Sequence, residues 1–377
     1  MSPGMAIQSI DPSQLEALLE RTRREVDNGQ LPSCQVALAY QGELVAFETF
    51  GDASDDTQYA FFSATKAFVA AAVWTLIGEG KVDVDKPVVE YVPAFGSHGK
   101  QAISVEQVML HTAGFPGAPL GSPAWNTRQG RLAAFARWRL NWEPGTRFEY
   151  HPTSAHWVLA EIIESVTGLD FRDVIEARVT RPAGLPRILG IAQSAQRNIA
   201  ELVPVGEYAT PDELEAGFGI RELPTTEVTE QALLHFNDPD VRALGVPGAG
   251  GYGRACDLAL FYQALLHNPG EIWPPALLAD VTGRVRNSLP DYMGVEANRT
   301  LGLVQAGGDG KSHIRGLGRT VSPRAFGHNG AGGQLAWADP ESGLSIGYVT
   351  NGLERHELRM PRRGTAISSR AAVCAQG

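Results

Sequence analysis

Strand-like segments occur only near the two ends of this chain. "CQVALAYQGELVAFETFG" (34–51) reads as two strands joined at Gln41-Gly42, a hairpin signal. "QLAWADPESGLSIGYVTNG" (334–352) reads as a strand, an Asp-Pro-Glu-Ser-Gly turn and a second strand. From about residue 104 apolar residues recur at helical intervals instead. "SVEQVMLHTAG" takes Ser104 as its N-cap and Gly114 as its stop, and "RLAAFARWRL" follows. "TSAHWVLAEIIESVTG" ends at Gly168, and "GRACDLALFYQALLHNPG" is a further amphipathic helix. This distribution predicts an α/β unit assembled from both termini, with an all-helical domain inserted. The expected boundaries are 1–90 and 290–377 for the α/β domain and 91–289 for the mainly helical one. A groove between two such parts is where a small-molecule site belongs. No linker is visible, so one rigid body is expected.

Composition narrows the partners. A formal net charge of −10 argues against nucleic acid and anionic membrane, both of which need a basic face. Cys34, Cys256 and Cys374 have neither metal-type spacing nor a disulfide framework. The N-terminus reads as a short tail followed by an amphipathic helix opened near Asp11 or Ser13, without a signal-peptide core. The longest apolar run, Ala67 to Gly78, is too short to span a bilayer. A cytoplasmic protein needing no metal or cofactor is expected. Oligomeric state is open.

At the head of that apolar run stands Ser63-Ala64-Thr65-Lys66. On a helix, residues three apart share a face about 4.5 Å apart along the axis. Ser63 would sit among free N–H groups at the positive end of the helix dipole, which favour a developing anion. An ordinary lysine, with a pKa of about 10.4, is protonated at pH 7 and cannot act as a base. Burial against Phe61 and Phe62 would favour its neutral form. The bland alternative is a capping serine beside a solvated lysine. A second Ser-x-x-Lys, Ser97 to Lys100 in "AFGSHGKQAIS", lies between glycines. A loop is not expected to hold that pair in contact, so this copy reads as a decoy.

Five ordered segments carry a resemblance: "SATK" (63–66), "LHTAGFPG" (110–117), "EPGTRFEYHPTSAHWVLAEIIESVTG" (143–168), "GAGGYGRACDLALFYQALL" (248–266) and "FGHNGAGG" (326–333). In this order they resemble the serine β-lactamase and penicillin-binding-protein superfamily, and more narrowly the family VIII carboxylesterases, from about residue 12 to 355. The resemblance implies a β-lactamase-like fold, an antiparallel sheet flanked by helices. It implies Ser63 as nucleophile, Lys66 as base and Tyr150 as a proton relay facing both. The family pattern after the tyrosine is often Y-x-N, whereas this chain has Tyr150-His151-Pro152. That departure puts lactam recognition in doubt. His328-Asn329-Gly330 occupies the place of K-T-G. Histidine is a weaker anion anchor than lysine, which favours neutral esters. Gly330 would let substrate approach the strand, and the Ala331 N–H would pair with that of Ser63 as an oxyanion hole.

The implied function is a serine hydrolase cleaving carboxylic esters of short acyl chain, with a small-molecule ester as its partner. An acyltransferase, a β-lactamase or D-aminopeptidase-type amide hydrolase, and a non-catalytic scaffold are the alternatives. Gly343-Leu344-Ser345-Ile346-Gly347 matches the nucleophile elbow of another hydrolase fold. That elbow needs a strand, a sharp turn and a helix, and Ser345 lies within an alternating strand. His111 reads as a structural histidine at a helix end.

Overall fold

The computed structural model describes residues 9–223 and 228–375. The short tail expected before the first helix lies outside the described residues over 1–8. Helix α1 (Pro12–Asp27) opens at Asp11, whose carboxylate accepts from the Ser13 and Gln14 amides, with Pro12 in the first turn.

Strands β1 (Ser33–Tyr40) and β2 (Glu43–Gly51) form the expected hairpin. Its two loop residues, Gln41 and Gly42, have φ of 51° and 87°. A two-residue loop with both φ positive matches the right-handed twist of its strands. The other strands of this sheet come from the far end of the chain: β3 (Val304–Gln305), β4 (Phe326–Gly327), β5 (Leu335–Asp339) and β6 (Leu344–Thr350). The sheet runs β2-β1-β6-β5-β4-β3, every pair antiparallel. The two termini meet where β1 pairs with β6, Cys34 opposite Thr350 and Tyr40 opposite Leu344.

Side-chain size assigns the faces. Val36, Leu38, Trp337, Ile346 and Tyr348 form one core with Leu18 of α1 and Ile367 of helix α5 (Arg359–Ala371). The opposite face carries Ala37, Ala39, Ala336 and Ala338, in the core that includes helix α4 (Ala255–His267). Small residues let α4 come close: a Cβ on Gly347 would collide with the Ala255 carbonyl. Ser345 of β6 is wholly buried on this face. Its hydroxyl donates to Ala259 O at 2.7 Å and accepts from Gln263 Nε2 at 2.9 Å. It ties a strand to a helix, as an alternating strand residue should.

Helix α2 (Thr65–Gly78) is buried from Thr65 through Leu76. A helix apolar all round has no solvent face and becomes a core element. Each of its large side chains adds about 1.5–3 kcal/mol on burial. The Trp74 indole donates to Leu301 O and the Trp273 indole to Ala71 O. Helix α3 (Ser154–Thr167) packs beside it and ends at Gly168, φ 70°. The helix expected from Ser104 is capped by Ser104 with Gln107 reciprocating, but it spans only Val105–Met109. His111, at φ 59°, turns the chain out of helix before Gly114. Among the described residues no helix is long and apolar enough to cross a membrane.

Candidate active site

Ser63 occupies a 3₁₀ turn, Phe62–Ala64, that leads into α2. Phe62, one residue earlier, has φ of 46°, a region bulky residues rarely adopt and a common place for strain beside a reactive group. The turn is pinned by the Phe61 N–H donating to Gly251 O at 2.8 Å, and the Phe62 ring meets Phe236 edge-on at 5.5 Å. No side chain caps the start of the turn or of α2. The reading of Ser63 as a helix cap therefore fails.

Lys66 is wholly buried, so the solvated-lysine reading fails too. Its Nζ lies 3.2 Å from Ser63 Oγ, 2.7 Å from Pro152 O and 2.6 Å from Gly248 O. Burial pulls its pKa well below the usual lysine value, and the Arg299 guanidinium adds to that. A neutral amine has two N–H bonds and one lone pair. With the two carbonyls taking the N–H bonds, the lone pair is left for the Ser63 hydroxyl, which then donates to Nζ.

The Tyr150 ring lies 5.0 Å from Lys66 Nζ, centroid to nitrogen. The residue follows the Pro144-Gly145 turn and precedes α3. Its hydroxyl is buried without a completed hydrogen bond, and burial pushes its pKa up to about 12 against the opposing pull of Ser63 and Arg299. The His111 ring packs against it at 4.8 Å and the His328 ring at 6.0 Å. His111 accepts from the His151 N–H through Nδ1 at 3.1 Å, a structural bond.

Gly330 matters for a different approach from the one expected. A Cβ there would collide with the Phe61 carbonyl oxygen, so the absent side chain lets the protein's own strand reach the Ser63 turn. Next to it, Ala331 begins a short 3₁₀ turn. Among the described residues neither the Ser63 nor the Ala331 N–H has an acceptor in the protein. His328 is held neutral by burial, with Arg299 and Lys66 adding to the effect. Its Nδ1 lies 3.0 Å from Asn329 O and its Nε2 3.4 Å from Arg299 Nη1. Nδ1 therefore carries the proton and Nε2 accepts.

The six residues expected at the site thus stand together in the structure. Three groups were missed. Arg299 sits in no motif. The carbonyls of Pro152 and Gly248 are invisible to a search by side chain, although position 152 was conspicuous as the place of a missing asparagine. Among the described residues no group of His, Cys, Asp or Glu is placed to hold a metal ion.

A family model described as Beta-lactamase matches residues 18–368. The chain belongs to the beta-lactamase family. Within it, the chain is 30% identical over 324 residues to "Esterase/beta-lactamase LipL" of Mycobacterium tuberculosis, covering 80% of this chain and 70% of the relative. A penicillin-binding protein homolog from Caulobacter crescentus superposes with a TM-score of 0.76 at 24% identity, over 97% of this chain and 99% of that one. A family VIII carboxylesterase gives 0.75 at 24% identity, over 97% and 100%. These two likenesses establish the β-lactamase-like fold, with its antiparallel sheet and flanking helices.

Proposed function

We propose that this beta-lactamase-family hydrolase cleaves carboxylic esters of short acyl chain through an acyl-enzyme on Ser63. The observation that carries the reading is the state of Lys66, buried, with two backbone carbonyls on its N–H groups and its third contact on Ser63 Oγ. Lys66 takes the hydroxyl proton as Ser63 Oγ attacks the ester carbonyl. The Ser63 and Ala331 N–H groups receive the oxyanion, and one such donor contributes about 3–4 kcal/mol to the transition state. Tyr150, protonated throughout the neutral range, gives its proton to the departing alkoxide and recovers one from Lys66. Water then enters, loses its proton to the same pair and releases the acid. Phe62, beside Ser63 in the chain, packs with Phe236 and Leu353 in a buried apolar cluster that holds the Ser63 turn in place.

Hydrolysis of p-nitrophenyl butyrate by wild type, Ser63→Ala and Ser97→Ala tests the reading. Loss of turnover in the Ser63 variant alone supports it; turnover surviving Ser63→Ala would sink it. A second reading draws on the name of LipL: the same acyl-enzyme would open a lactam. Nitrocefin in the same assay decides between them, by which substrate has the higher kcat/KM.

A further inference from the structure

Three glutamines are buried among the described residues, Gln35, Gln263 and Gln334. A buried amide without partners is costly, and each of the three is bonded through both its nitrogen and its oxygen. Gln35 donates to the Ser54 and Thr57 carbonyls and accepts from the Ala255 N–H. Gln263 donates to Ala39 O and Ser345 Oγ and accepts from the Gly42 N–H. Only Gln334 bonds within three residues of Ser63. Its Nε2 donates to Ala60 O at 3.0 Å and to Thr350 O at 2.9 Å, and its Oε1 accepts from the Thr350 N–H at 2.9 Å. Its main-chain carbonyl accepts from the Gly330 N–H at 3.0 Å. Ala60 stands three residues before Ser63, and Ala331 three residues before Gln334. This one amide therefore links the two segments that carry the Ser63 and Ala331 N–H groups, and ties both to the end of β6. The link closes into a ring. The Thr350 hydroxyl donates to Ser33 O at 2.8 Å, and Ser33 Oγ lies 2.8 Å from the hydroxyl of Tyr59, the neighbour of Ala60. Ser33, Tyr59, Gln334 and Thr350 are all buried.

Two N–H donors serve an oxyanion only when both lie about 2.7–3.1 Å from the place where it forms. Between Ala60 and Ser63 stands Phe62 at φ 46°, a strained backbone that persists only where its surroundings hold it. The Phe61 N–H, on Gly251 O, holds it from one side. Gln334, on the Ala60 carbonyl, holds it from the other. The close approach of Gly330 to the Phe61 carbonyl sets how near the two segments can come, whereas a bonded amide fixes how far apart they stay. We propose that Gln334 is a positioning residue for the ester reaction: its side-chain amide keeps the Ser63 and Ala331 N–H groups at the spacing that receives the oxyanion. The proposal rests on the ester-hydrolase reading above.

The test compares wild type, Gln334→Met and Gln263→Met on p-nitrophenyl butyrate, with n-butylboronic acid as inhibitor and a urea midpoint for each. Methionine keeps the length of glutamine and removes its hydrogen bonds. Acylation and deacylation both pass through an oxyanion, so kcat should fall roughly 10- to 100-fold in Gln334→Met whichever step is slow. KM should stay within about threefold, because the lost interaction belongs to the transition state. The boronic acid adds Ser63 Oγ to its boron and places a hydroxyl where the oxyanion forms, so its inhibition should weaken by the same factor as kcat. Gln263→Met is the control for a buried amide lost elsewhere: its urea midpoint should fall, with kcat and boronic acid inhibition as in wild type. A kcat within twofold of wild type in Gln334→Met overturns the proposal. So does a fall in kcat shared equally by Gln263→Met, or one that leaves boronic acid inhibition unchanged. Should Gln334→Met not fold, Gln334→Asn serves, since it keeps a buried amide one methylene short of Ala60 O. The same joint fall in kcat and inhibition is expected there, and a kcat within twofold overturns the proposal. Ser63-dependent turnover that is indifferent to Gln334 leaves the hydrolase reading standing and removes only the positioning role. Absence of turnover in wild type removes both.

Discussion

The chain holds two Ser-x-x-Lys pairs, and distances alone hardly separate them. Lys66 Nζ stands 3.2 Å from Ser63 Oγ and 2.7 and 2.6 Å from two carbonyls. Lys100 Nζ stands 3.2 Å from Ser97 Oγ and 2.6 Å from each of two carbonyls, Ser97 O and Trp138 O. Both lysines are buried. The difference lies in the serines. Ser97 donates its proton to Ala136 O at 2.6 Å, so its oxygen can only accept from Lys100. Three acceptors around Nζ suit an ammonium. Ser63 has no carbonyl acceptor among the described residues, only the Tyr150 hydroxyl beside it, so its proton can point to Lys66. One further acceptor reverses the sense of the Ser–Lys bond, and with it what the pair can do. Around Ser63 there are also a buried tyrosine hydroxyl and two N–H groups without acceptors.

Removing the two lysines should separate the pairs most widely. Lys66→Ala is expected to lower kcat/KM for p-nitrophenyl butyrate by about 10²–10⁴-fold, the span of a general base. Lys100→Ala should leave kcat/KM within a few-fold while lowering the urea midpoint, because two buried carbonyls lose their donor at about 1–3 kcal/mol each. Equal losses of activity in both variants would erase the distinction drawn here.

Tyr150→Phe comes next. Removing a hydroxyl that returns a proton should slow acylation by about 10²-fold in single-turnover measurements. The apolar ring keeps its packing against His111, so the urea midpoint should hold. An unchanged acylation rate would take the tyrosine out of the mechanism.

The protonation state of Lys66 gives a third test. The base acts only when deprotonated, so kcat/KM should rise with pH as Lys66 loses its proton and then level off. Burial and Arg299 both depress that pKa, which places the acidic limb below the range of an ordinary lysine. Taking away the cation in Arg299→Met lets Lys66 hold its proton to higher pH, so the limb should move up. His111, His151, His156 and His328 are all held neutral by burial and give no compensating charge. A limb that stays in place, read on a neutral ester, would mean that Arg299 does not act on the base.

What could be read in the sequence follows the same division between side chains and their surroundings. The hairpin at Gln41-Gly42, the cap at Asp11 and the stop at Gly168 were legible because each is a local preference of the backbone. The meeting of β1 with β6 followed from the long strands lying near the ends; the expectation that strands occur only there missed the short strands Val203–Val205 and Tyr252–Gly253, too brief to show alternation. Ser63, Lys66 and Tyr150 were legible as ordered motifs. The contact between Ser97 and Lys100 was misjudged: a loop was expected to leave them apart, yet burial of Lys100 and the Trp138 carbonyl draw them together. Arg299 was not legible, since it belongs to no motif and only the fold brings it to 3.4 Å from His328 and over the Tyr150 ring. Carbonyl partners such as Pro152 O and Gly248 O belong to the backbone, whose orientation only the fold decides.

Ser97→Ala should have the smallest effect and the sharpest bearing on the comparison. It removes the hydrogen bond to Ala136 O, a loss of about 1 kcal/mol of stability, and with it the acceptor for the third N–H of Lys100. Lys100 then matches Lys66 in having two carbonyls, but no hydroxyl remains for it to activate. Turnover of p-nitrophenyl butyrate should match wild type, with a slightly lower urea midpoint. Substituting Ala136 would not serve in its place, because the acceptor is a main-chain oxygen that any side chain leaves intact. If Ser97→Ala instead lowers kcat/KM tenfold or more at unchanged stability, the second pair takes part in the chemistry. The direction of a serine's proton would then no longer separate a working Ser–Lys pair from a structural one.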